Sequence, residues 1–261
     1  MPLLPIENGW NFRDLGGIKT QDGRQLKAHK LIRSGHLGKL SKQDQQFLAD
    51  YGLTTVMDFR SPEEQKKDPD LQIAGTTYNF NPVFEVDETK SALRFNERKQ
   101  LFSKEPLIAF REMVDTYQDL VSLTHSQRAY QQFFDALLAN EQDDQALLFH
   151  CSAGKDRTGM GAVYTLSALG VAPMTVRQDY LASNHYLFAT NQQLVQDVIY
   201  RGGNRNVQAN TWSLMSVANE YLDAALLTIE ANYGSLDQYL TESLDLTPEK
   251  RKALQQIYLE D

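Results

Sequence analysis

Cys151 is the single cysteine of a 261-residue chain, and Arg157 follows it six positions later. Ser152, Ala153, Gly154, Lys155 and Asp156 lie between them, and Thr158 and Gly159 come next. A thiol is a strong nucleophile only as its thiolate. Nearby cations and a helix N-terminus lower a cysteine pKa from about 8.5 into roughly the 3.5–7.5 range. The arginine fork matches two phosphate oxygens at once, which the point charge of a lysine cannot do. The set suits thiolate attack on a phosphate monoester, with a covalent intermediate that water then breaks down. In that chemistry Cys151 is the nucleophile. Arg157 and the backbone N–H groups of Ser152, Ala153, Gly154, Lys155, Asp156 and Arg157 bind the phosphate. The Thr158 hydroxyl eases departure of the sulfur, and a ring hydrogen bond from His150 holds the loop in shape.

These residues need a strand, a tight loop and a helix to position them. Ala146 to Phe149 is an apolar run that reads as the strand, and the small-residue pattern from Gly159 to Leu169 reads as the helix. A loop that ends where a helix begins receives free backbone N–H groups and the positive end of the helix dipole. Other readings of the same residues exist. A lone cysteine after a strand is ordinarily a small buried hydrophobe. Gly154-Lys155 suggests a nucleotide-binding loop, but Asp156 stands where that pattern needs Ser or Thr, and its earlier glycine is missing. A phosphate-binding module without turnover is opposed by the intact set of Cys151, Asp156 and Arg157. A sulfur-transfer enzyme with a similar loop is disfavoured by Arg157 at the sixth position and the Thr158-Gly159 exit.

The leaving group needs a proton from an acid within hydrogen-bond reach. Asp156 is the first candidate, because the loop places it beside the substrate. Asp58 is the alternative and Asp14 the third. Lys155 adds a second cation, read either as support for the thiolate or as affinity for multiply phosphorylated lipids.

His-Cys-Ser-Ala-Gly-Lys-Asp-Arg-Thr-Gly, His150 to Gly159, resembles the loop of the cysteine-dependent phosphatase superfamily. It is similar in particular to the bacterial branch with Ala-Gly-Lys-Asp-Arg, which includes secreted tyrosine and lipid phosphatases of some intracellular pathogens. Three further segments carry the resemblance in the branch's order: Asn-Phe-Arg-Asp-Leu-Gly-Gly at Asn11 to Gly17, Arg-Ser-Gly at Arg33 to Gly35, and Asp-x-Arg-Ser at Asp58 to Ser61. The resemblance implies an acid at Asp156 rather than on a separate mobile loop. It also implies that the Arg13-Asp14 segment packs near the phosphate loop. Read from the residues alone, Arg13 and Asp14 form a local clamp. The resemblance admits phosphotyrosine, phosphoserine or phosphothreonine, and phosphoinositide substrates, and a helical lid, placed within 188–213.

The rest of the chain supplies an α/β frame. Gln21 to Arg24 is a turn signal between short candidate strands within 18–32. Ser41 and Asp44 have capping-box spacing for a helix to about Asp50, stopped near Gly52. Thr54 to Phe59 reads as a central strand, so Asp58 and Arg60 fall at its C-terminal end, where functional residues of open α/β sheets gather. They are expected either as neighbours of Cys151 or as a pair bracing the next turn. Ser61-Pro62-Glu63-Glu64 starts a short helix, and Thr76 to Asn81 is a strand. Glu85 to Glu105 is a polar excursion or surface helix. Helices follow over Leu107 to Val121 and Ser126 to Ala139, the second with Tyr130, Phe133, Phe134, Leu137 and Leu138 on one core face. Further helices are expected over 174–200, with a break at Arg201 to Arg205, then from Ser213 to Tyr233, and from Thr247 to Leu259.

Length fits one domain. Net charge is −8 with 41% hydrophobic residues, which argues against nucleic-acid partners and a polybasic membrane anchor. No apolar run approaches the roughly 20 residues that span a bilayer. One cysteine excludes an internal disulfide, and the five histidines form no metal-ligand spacing. The expectation is a single-domain α/β fold over 1–261, a mostly parallel sheet with helices on both faces and extra C-terminal helices. Its chemistry uses no metal and no cofactor, and its partner is a phosphorylated protein or a phosphoinositide. A reducing cytoplasm is the default location, with export lacking a cleaved signal peptide left open. Protein tyrosine phosphatase, extended to dual specificity, is the leading label, and phosphoinositide phosphatase the alternative. The oligomeric state is not legible.

Overall fold

Apolar alternation organises the sheet. In β6 (Ala146–His150) every residue is buried. Leu147 and Phe149 face the larger of two cores, while Ala146 and Leu148 face the smaller. A strand covered on both faces belongs inside a parallel sheet. The computed structural model, which describes residues 3–90 and 94–261, places β6 at the centre of five strands. Their order is β1 (Arg13–Asp14), β3 (Leu31–Ser34), β6, β4 (Leu53–Asp58) and β5 (Thr77–Phe80). All pairs are parallel except β1 with β3. Ser34 and Asp58 both lie opposite His150, so Gly35, Phe59 and Cys151 leave the sheet at one edge. The fold is α/β with a mostly parallel sheet and C-terminal helices.

Helices cover both faces. α1 (Lys42–Asp50) brings Leu48 to the smaller core. The larger core is filled from α4 (Ile108–Ser122), α5 (Thr124–Ala139), α6 (Arg157–Ala168) and α9 (Asn219–Tyr233). In α5, Tyr130, Phe133, Phe134 and Leu137 are buried there, with Leu138 packed at its edge. α6 lies close to the sheet because its small residues permit it. A Cβ on Gly161 would stand 3.3 Å from the Phe59 ring and 3.4 Å from the Phe149 ring.

Local signals match the elements they predicted. Ser41 caps α1 and Ser61 caps α2 (Pro62–Lys67), each in a reciprocal capping box. Gly52, after α1, has φ +91°, which a side chain rarely adopts. Thr247 caps α11 (Pro248–Tyr258).

One expectation needs correction, and two are extended by the structure. The turn expected at Gln21 to Arg24 forms between antiparallel partners, with Lys19 bridging Gln25, Thr20 N donating to Arg24 O and Leu26 N donating to Ile18 O. Beyond it, β2 (Gln25–Leu26) also pairs with the C-terminal strand β7 (Leu259–Glu260), and β3 joins the central sheet. The helix expected from Ser213 to Tyr233 is broken. α8 (Arg205–Met215) ends, Ser216 to Ala218 is extended, and α9 starts at Asn219. The cause is distant: the Asn184 side-chain amide, on α7 (Pro173–Tyr200), accepts from Val217 N and donates to Val217 O at 2.8 Å each. Those bonds satisfy backbone groups that a continuous helix would have paired. The polar stretch from Glu85 to Glu105 contains the expected surface helix, α3 (Phe95–Phe102), and in addition Thr89 bonds Arg157 and Arg98 lines the same cavity as Cys151; its residues 91–93 lie outside the described residues.

Candidate active site

The loop after β6 is shaped from behind. The peptide group is planar, so fixing a carbonyl oxygen fixes the next N–H on the opposite side. The Cys151 carbonyl meets His150 Nδ1 at 3.2 Å, the Ser152 carbonyl accepts from His36 N at 3.2 Å, and the Gly154 carbonyl accepts from Asn11 Nδ2 and Arg33 Nη2 at 2.8 Å each. Each held oxygen therefore sets the N–H of the next residue, Ser152, Ala153 or Lys155, on the far side of its peptide plane. Gly154 has φ +69°, and a Cβ there would lie 2.3 Å from Ser34 O. Only glycine fits.

Cys151 is 1% exposed at the base of a cavity of about 340 Å³. Burial pushes its thiol pKa up. The Arg157 guanidinium and bonds from the Thr158 hydroxyl and N–H pull it down, Asp156 opposes them, and the net direction is down. Thr158 Oγ1 has no nitrogen or oxygen partner among the described residues.

Arg157 is clamped by a residue that sequence reasoning did not select. Glu64 takes Arg157 Nη1 at 2.5 Å and Nη2 at 2.8 Å, and it also accepts from Ser152 Oγ and from Ser61 N. One carboxylate therefore caps α2 and orients the arginine. Burial raises the Glu64 pKa, but Arg157 outweighs it and holds the carboxyl below its usual range. Arg157 Nε has no partner among the described residues. The capping-box spacing of Ser61 and Glu64 was a visible signal. It gave no hint of an arginine 93 positions away.

Asp156 lines the cavity beside Cys151. Lys155 Nζ donates to its two oxygens at 2.8 and 2.7 Å and to Ser216 O at 3.3 Å. Tyr117 OH donates to Asp156 Oδ1 at 2.9 Å and accepts from Tyr180 OH at 2.9 Å. The helix break at Ser216 thus supplies a carbonyl for Lys155.

The supporting candidates separate. Arg60 lines the cavity, whereas Asp58 does not. Asp58 is bound by Arg60 Nη2 at 2.8 Å and by Tyr78 OH at 2.5 Å. Arg60 also reaches Asp68 O and Asp70 at 2.6 Å each, which braces the turn. His150 Nε2 lies 3.1 Å from Asp70. Burial lowers the His150 pKa, but Asp58 and Asp70 outweigh it and raise it. Asp58, Asp70 and His150 form a cluster with ligand-type atoms within 4.8 Å; the Arg60 guanidinium already bridges its two carboxylates. Arg13 and Asp14 do not form the expected clamp. Arg13 pairs with Asp179 at 2.6 Å. Asp14 accepts from Gly16 N, His29 N and Tyr51 OH, away from the cavity. Their neighbour Asn11 is what reaches the cysteine loop.

Leu187, Thr190, Asn191 and Leu194 of α7, with Leu214 and Met215 of α8, wall the cavity opposite the loop residues. No helix among the described residues is long and apolar enough to cross a membrane.

Known proteins similar to this chain carry phosphatase names. The chain is 34% identical over 239 residues to a Cupriavidus necator protein with a provisional tyrosine-protein phosphatase name, covering 90% of this chain and 82% of that one. It is 29% identical over 268 residues to the triple specificity protein phosphatase PtpB of Mycobacterium tuberculosis, covering 93% and 94%. A tyrosine-protein phosphatase of Nostoc commune is 30% identical over 168 residues, 62% of this chain and 51% of that one. The profile described as the tyrosine phosphatase family matches residues 4–260, nearly the whole length over which the sheet, the cysteine loop and the cavity wall are built, and the chain belongs to that family of hydrolases.

Proposed function

We propose that the protein hydrolyses phosphotyrosine in proteins through a phosphocysteine intermediate formed on Cys151. The observation that carries the reading is the buried Cys151 thiol, its pKa lowered by Arg157, at the base of a cavity that Lys155 and Asp156 also line. The near-complete burial of Cys151 favours a long aryl phosphate over a shorter seryl ester.

In this reading the thiolate attacks phosphorus while Arg157 and the loop N–H groups bind the three non-bridging oxygens. Arg157 Nε is the guanidinium donor left over by Glu64 and Thr89. The bond to the leaving oxygen breaks and Asp156 supplies its proton. Asp156 then takes a proton from the water that attacks phosphocysteine, releasing phosphate and the thiolate. Thr158 stabilises the departing sulfur. The α7–α8 wall, within 188–213 and just beyond, acts as a helical lid.

Extension to phosphoserine, phosphothreonine and phosphoinositides is supported by Lys39 and Arg98, which line the same cavity, and by the triple specificity in the name of the mycobacterial relative. The test is hydrolysis of an aryl phosphate with EDTA present, by the intact protein and by Cys151→Ser, followed by phosphotyrosyl, phosphoseryl and phosphoinositide substrates. Chelator-resistant activity lost in the variant, highest on phosphotyrosine, supports the reading. Retained activity in the variant contradicts it.

A further inference from the structure

Behind the cysteine loop, outside the cavity, two arginines share one carboxylate. Asp179 on α7 is 1% exposed. Its Oδ1 accepts from Arg13 Nη1 at 2.6 Å, and its Oδ2 accepts from Arg33 Nη1. Both arginines are fully buried. Arg33 uses its other terminal nitrogen, Nη2, on the Gly154 carbonyl at 2.8 Å. Arg13 Nε holds Asn11 Oδ1 at 3.0 Å, and Asn11 Nδ2 donates to the same Gly154 carbonyl at 2.8 Å. Ser183, one turn further along α7, accepts from Asn11, Arg13 and Arg33 at 3.2–3.4 Å. Asp179 is thus the shared anchor of both arms that grip one carbonyl.

We propose that Asp179 is a positioning residue for the phosphate site, acting through Arg13 and Arg33 on the Gly154 carbonyl and so on the Lys155 N–H. The Gly154–Lys155 peptide is planar, so the direction of that N–H follows the direction of the held oxygen. The backbone has no slack to absorb an error, because Gly154 already packs against Ser34 O. Two adjacent buried guanidinium groups repel each other, and their desolvation is costly without a counter-charge. Asp179 supplies that charge and fixes both forks in register. Because α7 also carries Leu187, Thr190, Asn191 and Leu194 of the cavity wall, the same residue ties the wall to the floor. Sequence reasoning placed Asp179 on a helix and assigned it nothing.

The proposal rests on the phosphatase reading of the loop, and the experiment separates the two. The intact enzyme, Asp179→Asn and the double variant Asp179→Asn/Arg13→Met are compared for aryl phosphate hydrolysis, competitive inhibition by inorganic phosphate, and melting temperature. Asp179→Asn keeps the shape and removes the charge. The double variant restores the net charge of the buried group, +1 from two arginines and one aspartate and +1 again from Arg33 alone. The expected result is a loss of about 10²-fold in kcat for the single variant, the scale of losing one oxyanion donor, with weaker phosphate inhibition. In the double variant the melting temperature recovers while kcat and phosphate inhibition stay impaired. Activity returning together with stability would assign Asp179 a charge-balancing role only and overturn the proposal, as would unchanged kinetics in Asp179→Asn. Should neither variant fold, Arg33→Lys keeps the charge facing Asp179 and loses the second fork contact. Weakened phosphate inhibition in that variant supports the proposal, and unchanged inhibition overturns it. An intact enzyme that neither hydrolyses the ester nor binds phosphate overturns the phosphatase reading itself.

Discussion

Two buried arginine–carboxylate groups flank the cysteine loop, built from the same parts and facing opposite ways. Arg157 and Glu64 both line the cavity, whereas Arg13, Arg33 and Asp179 do not. Each group satisfies the need of a buried guanidinium for a counter-charge. In the front group the carboxylate takes both terminal nitrogens, leaving Nε without a partner. In the rear group the carboxylate takes one terminal nitrogen from each arginine, Arg33 Nη2 and Arg13 Nε hold the protein's own backbone and side chains, and Arg33 Nε, like Arg157 Nε, has no partner among the described residues. On the proposed function, identical chemistry serves the ligand where the arginine lines a cavity, and serves the backbone where it does not. Burial and charge alone do not distinguish the two roles. Whether the arginine lines the cavity does.

Breaking the front group has the largest expected effect. Arg157→Lys keeps a charge but loses the planar fork that spans Glu64 and the phosphate. A loss of about 10³-fold or more in kcat/KM is expected on an aryl phosphate, the lower end of what a transition-state arginine supplies. A variant within tenfold of the intact enzyme would show that a point charge suffices.

Asp156→Asn sharpens the comparison at the next level, because it leaves both arginine groups in place. General acid catalysis contributes roughly 10²–10⁴-fold, and the requirement grows as the leaving group becomes more basic. The loss is expected to be large on a phosphoseryl or lipid substrate and small on an activated aryl phosphate. Equal losses on the two would count against Asp156 as the acid.

Glu64→Gln gives the smallest effect. It keeps the shape around Arg157 but loosens the clamp, and a misplacement of this kind costs at most about 10²-fold in kcat. The pH dependence has a definite sign. The folded-state pKa of Glu64 is lowered, so its contribution to stability is fully present above the usual carboxylate value of about 4.3 and is lost as pH falls through the lowered value. Melting temperature measured across the acid range should therefore fall less steeply in Glu64→Gln than in the intact protein. Parallel curves would mean that the Glu64–Arg157 pair adds nothing to folding.

What the amino-acid sequence made legible divides along the same line between local and distant partners. Ser41 with Asp44 and Ser61 with Glu64 are three positions apart, and their caps formed as the spacing predicts. The Ala146–Phe149 run, the cysteine loop and the small residues of α6 are contiguous, so strand, loop and helix were readable together. Partners set by the fold were not. Asp179 lies 166 positions from Arg13, and the Arg13-Asp14 clamp expected from adjacency gave way to it. The break after Met215 depends on Asn184, which holds Val217 from 33 positions earlier, and no helix breaker marks it. The pairing of β2 with the last residues of the chain has no local signal, since two-residue strands carry almost no periodicity. Asp58 and Arg60 illustrate the intermediate case. Their place at the strand end was legible, but only packing showed that Asp58 is enclosed while Arg60 reaches the cavity.

The central claim is that phosphate passes through the sulfur of Cys151. The most direct test is rapid acid quenching during turnover of an aryl phosphate with EDTA present, followed by digestion and mass spectrometry of the peptide that contains Cys151. The account predicts a phosphate increment on that peptide, absent from Cys151→Ser, which is also inactive. An active enzyme with no phosphate on Cys151, or hydrolysis that survives in Cys151→Ser, would contradict it.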